Sequence, residues 1–191
     1  MVLALDARPL HDFSGKLLFL LRHASAESDA VRDHARPLAG MGLQEAKTLG
    51  QEWKNWLPWP AQILCSDAVR TQQTLQQLCR GAGEAVPDAL EPELYDASPT
   101  NVISLIHRVP DTIQHLLCIG HNPTIHQLAA HLTHTDDAYT IAGKSLMHGY
   151  APCTLTVLSL EDGASWGEVM EEGLRLRLIH RAAEGWLPGK L

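Results

Sequence analysis

Two short apolar runs far apart in the chain, residues 17–21 (LLFLL) and residues 113–119 (IQHLLCI), both stop abruptly and are followed by a histidine: Arg22-His23 after the first, Gly120-His121 after the second. A run this short and this apolar suits a strand buried on both faces. Such a strand needs helices packed on either side, and its end opens onto the loops where chemistry commonly sits.

The intervening sequence supplies those helices. Leu43, Ala46, Leu49, Trp53 and Trp56 recur at helical spacing and stop before Pro58. Residues 61–65 (AQILC) read as a second buried strand, after which Ser66-Asp67 offers an N-cap and a first-turn carboxylate for a helix reaching about Arg80, ended by Gly81 and Gly83. Residues 84–90 are a third strand by the same reading. Ser98-Pro99 places a cap and an N1 proline before a helix over residues 100–108, and Ile125, Leu128, Ala129 and Leu132 mark another after His121. Two further strands, residues 152–160 and 174–179, flank an Asp162-Gly163 turn and a loop. Alternating strands and helices predict a layered α/β fold with a largely parallel sheet, and the final strand pair gives it a mixed edge.

The chain of 191 residues fits one domain, with residues 1–15 as an unpatterned extension and residues 16–191 as the folded unit. A net charge of -7 argues against general binding to nucleic acid, whose phosphates demand a Lys/Arg surplus, so any anion site must be local. Cys65, Cys79, Cys118 and Cys153 are scattered, two of them in apolar runs, which fits a reducing compartment. With no leader-like start and no apolar stretch long enough to span a bilayer, the expected location is cytoplasmic, away from membranes.

Three segments carry candidate chemistry. In Arg22-His23 a neutral imidazole is a competent nucleophile toward phosphorus, and the guanidinium beside it can hold phosphate oxygens. In residues 66–74 (SDAVRTQQT), Arg70 falls one turn into a helix whose N-terminus already favours an anion. In Gly120-His121-Asn122-Pro123 the glycine permits close backbone approach, and a histidine again emerges where a strand gives way to a helix.

Together these resemble the histidine phosphatase superfamily: a strand-terminal Arg-His, a Ser-x-x-x-Arg-x-x-Gln-Thr helix start (Ser66, Arg70, Gln73, Thr74) and a late strand-terminal histidine. The resemblance covers about residues 16–180. Arg36-Pro37-Leu38 and the short interval between Arg70 and His121 are most similar to the compact SixA-type phosphohistidine phosphatases. The resemblance implies a three-layer phosphoglycerate mutase-like fold and a shallow site without an inserted lid. It also implies that His23 becomes phosphorylated and then hydrolysed while Arg22, Arg70 and His121 hold the phosphoryl oxygens. Arg36, Ser66, Gly120 and Asn122 would complete the substrate site, without cofactor or metal.

The chain departs from the wider family at the proton donor, for which Glu93 and Asp96 are positional candidates only. A phosphohistidine substrate relaxes that demand, because imidazole leaves far more readily than an alkoxide. The expected partner is accordingly a phosphohistidine-bearing protein, with small phosphate compounds as the alternative and a catalytically weak phosphate-binding protein as a second. The oligomeric state is open. His126, His131 and His134 have spacings that set no clean pair on one helix face for a metal, and Trp53, Trp56 and Trp59 read as core packing beside a rigid turn.

Overall fold

Side chains along the first strand, β1 (Leu17–Arg22), point alternately to opposite faces of a sheet, and both faces are apolar. Leu17, Phe19 and Leu21 enter one core, Leu18 and Leu20 the other, and all five are fully buried. This computed structural model describes residues 9–28, 32–170 and 173–189.

Two helices, α1 (Gly40–Trp56) and α2 (Val69–Ala82), cover the Leu17/Phe19/Leu21 face through Leu49, Trp53, Leu75 and Leu78. Three others, α3 (Pro99–His107), α4 (Thr124–Leu132) and α5 (Ile141–Met147), cover the opposite face through Val102, Ile106, Leu128 and Leu146. The result is the three-layer α/β arrangement expected. α1 and α2 approach closely because glycines meet backbone across their interface: a Cβ at Gly50 would fall 2.1 Å from Leu78 O, and one at Gly81 2.0 Å from Lys47 O.

The remaining strands are β2 (Gln62–Cys65), β3 (His115–Gly120), β4 (Leu155–Ser159), β5 (Arg175–Arg181) and β6 (Gly185–Pro188), in the sheet order β2-β3-β1-β4-β5-β6. β2, β3 and β1 run parallel, with Arg22 level with Gly120 and Cys65 level with Ile119. β4, β5 and β6 are joined antiparallel, so the mixed edge makes up half the sheet and is wider than the sequence suggests.

Several local expectations need correction. Residues 84–90 do not form a strand: Leu90 makes one bridge to Cys65, while residues 84–88 are exposed and Pro87 lacks a ladder donor. α2 starts at Val69 with Ala68 as N-cap, so Ser66 is not its cap, and it ends at Ala82 with Gly83 in the left-handed region. α5 and β6 were not anticipated. Of the expected extension, residues 1–8 lie outside the described residues, while Leu10 and Phe13 pack against the α1/α2 core and Leu10 N donates to Trp56 O at 2.6 Å. No helix among the described residues is long and apolar enough to cross a membrane.

Candidate active site

The three parallel strands end side by side and hand over the sequence motifs together. His23 follows β1, His121 follows β3 and Ser66 follows β2, held level by His23 N donating to Gly120 O and Ser66 N donating to Ile119 O, both at 3.0 Å. The rings of His23 and His121 lie 5.3 Å apart at 55°.

His23 is nearly buried, and its Nδ1 donates to the carbonyl of Ala24 at 2.7 Å. A carbonyl can only accept, so Nδ1 carries the proton and the lone pair of the neutral ring resides on Nε2. Burial lowers the His23 pKa to about 4, and the Arg70, Arg22 and Arg36 guanidiniums push in the same direction against the hydrogen bond to Ala24. His121 is lowered to about 3, first by burial and then by Arg70 and His23. Its Nε2 lies 2.8 Å from Ser66 Oγ, which gives Ser66 a role other than helix capping.

Arg70 emerges from the first turn of α2 and is 4% exposed. Its Nη1 donates to Asp33 O at 2.7 Å and its Nη2 to Asp33 Oδ2 at 2.9 Å. Arg36 pairs with the other carboxylate oxygen of Asp33 at 2.9 Å, and Tyr95 Oη donates to Oδ2 at 2.8 Å. Arg22 Nη1 and Asn122 Nδ2 both donate to the carbonyl of Tyr150, at 2.5 and 3.1 Å. Gly120 brings its backbone against Ile125, whose Cγ1 a Cβ would meet at 3.0 Å.

One set of atoms stands out. Arg22 Nε, Arg36 Nε, Arg70 Nε and His121 Nδ1 are buried without a hydrogen-bond partner, on residues whose charges bear on one another around His23. Buried donors of this kind are costly unless a ligand completes them, and a tetrahedral oxyanion offers acceptors in several directions at once.

The two proton-donor candidates make no hydrogen bond to the histidines or arginines of this cluster among the described residues. Glu93 pairs with Arg108 at 3.2 Å on the exposed surface, and Asp96 is exposed beside a cavity of about 350 Å³ that Tyr95 also lines. His126 donates to Leu146 O at 2.8 Å, and no group of three or more His, Cys, Asp or Glu among the described residues is placed to hold a metal. Sequence reasoning missed Asp33, Tyr95 and Tyr150. Only Asp33 had a nearby signal, standing three residues before Arg36.

Comparison with known proteins identifies this fold as that of a family of phosphoryl-handling enzymes. The pattern of the histidine phosphatase superfamily (branch 1) matches residues 18–99. An uncharacterised protein of Mycobacterium tuberculosis is 41% identical over 122 residues, covering 62% of this chain and 75% of that protein. The phosphohistidine phosphatase SixA of Escherichia coli is 29% identical over 119 residues, covering 60% of this chain and 73% of that protein. A SixA candidate from Nakamurella multipartitia superposes with a TM-score of 0.75 at 32% identity, covering 87% of this chain and 95% of that one. The chain belongs to the histidine phosphatase superfamily and is a phosphatase.

Proposed function

We propose that the chain removes phosphoryl groups through a covalent phosphohistidine on His23, and that its substrates are phosphohistidine residues of proteins. The observation that carries the mechanism is a set of four buried, unpartnered nitrogens on residues grouped electrostatically with an imidazole whose free lone pair is on Nε2. In the first step Nε2 forms a bond to phosphorus while the bond to the leaving group breaks. In the second, water attacks phosphorus and the N–P electron pair returns to Nε2. Charge in such displacements spreads over the three equatorial oxygens, so Arg22, Arg70, Arg36 and His121 are suited to lower the barrier by fixed electrostatics. A dianionic phosphoryl group beside His121 favours its protonated form, with Ser66 accepting from Nε2 and Nδ1 donating to the substrate.

Two observations support the substrate class. The chain is similar over most of its length to SixA proteins. Glu93 is paired with Arg108 and Asp96 is exposed, and a weak proton donor suits an imidazole leaving group better than an alkoxide. The reading includes a cytoplasmic location, consistent with four buried free cysteines.

The test compares kcat/KM for a phosphohistidine-bearing protein domain with a panel of small phosphate esters, alongside acid-quenched labelling of wild type and His23→Ala. Preference for the phosphoprotein with label confined to wild type is expected. A large preference for esters transfers the function to metabolite hydrolysis. Phosphate binding without any labelled intermediate makes the chain a binding protein instead.

A further inference from the structure

Beside the phosphoryl-binding cluster lies an imidazole–carboxylate pair that the mechanism so far does not use. His34 Nε2 stands 2.9 Å from Asp67 Oδ1, and 43% of the His34 side chain and 31% of the Asp67 side chain are exposed. Asp67 directly follows Ser66, the partner of His121, and His34 directly follows Asp33, the partner of Arg70. The pair is thus tied by the backbone to two members of the cluster.

Tyr95 fixes its place more closely. The Tyr95 ring packs edge-on against His34 with centroids 4.7 Å apart, and edge-on against His121 with centroids 5.5 Å apart. It therefore touches both imidazoles and limits their separation to about 10 Å. The Arg70 guanidinium lies 5.8 Å from the same ring. With 43% of its side chain exposed beside the buried His23, His121 and Arg70, His34 sits at the rim of the cluster.

Building on the reading above, we infer that His34, oriented by Asp67, is the proton-transfer residue of the reaction. A carboxylate that accepts from Nε2 fixes the ring's tautomer and orientation, leaving Nδ1 to exchange protons with the reacting groups. In the first step the bond from phosphorus to the leaving atom breaks, its electron pair stays on that atom, and the proton on Nδ1 neutralises it. In the second, Nδ1 takes a proton from the water attacking phosphorylated His23, the N–P bond breaks toward Nε2, and inorganic phosphate departs. His34 is again protonated and the cycle closes. For an imidazole leaving group the second step makes the greater demand, since water is the harder group to activate.

Rapid-quench kinetics on His34→Gln, whose amide can still donate to Asp67, and on Asp67→Asn tests this. With p-nitrophenyl phosphate, whose leaving group needs no proton, the nitrophenolate burst should change by no more than about threefold. Steady-state turnover should fall about 10²- to 10⁴-fold and acid-labile phosphoenzyme should accumulate, as expected when a general base is lost. With glycerol phosphate the phosphorylation step itself should slow by a similar factor. Asp67→Asn should show the same pattern in weaker form. Equal losses with both leaving groups, or phosphoenzyme hydrolysis at the wild-type rate, would reduce the pair to a clip between loop and helix. If wild type forms no phosphoenzyme, the covalent mechanism falls and this inference with it, whereas a labelled wild type with unaltered variants removes only the role of His34.

Discussion

Asp33 engages both branches of the Arg70 guanidinium, taking Nη1 on its carbonyl and Nη2 on its carboxylate. The far end of the fork is thereby occupied, and Nε on the other edge is left without a partner. Because Arg36 binds the other oxygen of the same carboxylate, one acidic side chain sets the direction of two cations.

Asp33→Ala should therefore misdirect the arginines while leaving their charge in place. The expected loss is about 10- to 100-fold in kcat/KM, of the size that misplacing a reacting group causes. Steady-state kinetics with orthovanadate inhibition checks it: inhibition should weaken in parallel, and stronger inhibition at undiminished turnover would show that Asp33 competes with the anion.

The His23 pKa near 4 has consequences for pH. The nucleophile must be neutral, so the acidic limb of kcat/KM should fall near pH 4 and not near 6.5. Stability follows the same sign: between about pH 4 and 6.5 an unfolded histidine binds a proton that the buried His23 does not, so stability is full above that window and is lost as pH drops through it. His121, lowered to about 3, adds in the same direction. Urea unfolding at several pH values should show this slope, and it should flatten in the His23→Gln/His121→Gln double variant.

Packing between α1 and α2 makes a sharp contrast of two glycines in one helix. Gly50→Ala would press a methyl into the Leu78 carbonyl and should cost about 3 kcal/mol or more, whereas Gly40, with nothing within 4 Å, should accept alanine neutrally or with a slight gain. Thermal melts of the two variants decide the matter.

Tyr150 separates stability from catalysis. Its buried hydroxyl donates to Leu20 O at 2.9 Å and lies 2.8 Å from Thr156 Oγ1, while its backbone carbonyl holds Arg22 and Asn122. Tyr150→Phe removes only the hydroxyl and should cost about 1–2 kcal/mol, because Leu20 O loses a donor. Since the carbonyl stays, kcat/KM should remain within about threefold of wild type.

Much of this was legible in the sequence because it is local. An apolar run ending in a histidine reports both a buried strand and what that strand delivers; helical periodicity marks α1 and α4, and capping and terminating residues mark α2 and α3. What escaped depends on distance along the chain. Tyr95 reaches Asp33 across 62 positions and Tyr150 reaches Arg22 across 128, and neither aromatic stands in a pattern that foretells its partner. α5 is a single seven-residue segment with an interior glycine, too short to establish periodicity. Ser66 looked like a cap because a serine before a helix usually is one; here β2 ends close enough to β3 for a neighbouring histidine to claim its hydroxyl instead.

The level pairing of Arg22 with Gly120 has one last implication. Two rings that each follow a residue of the same ladder rung are spaced by the backbone lattice and not by the side chains beneath it. Core substitutions can then wear down the stability of the molecule while leaving the geometry of its reactive end unchanged. Deleting a single residue from either strand, by contrast, would turn one imidazole to the opposite face and abolish the centre in a single stroke.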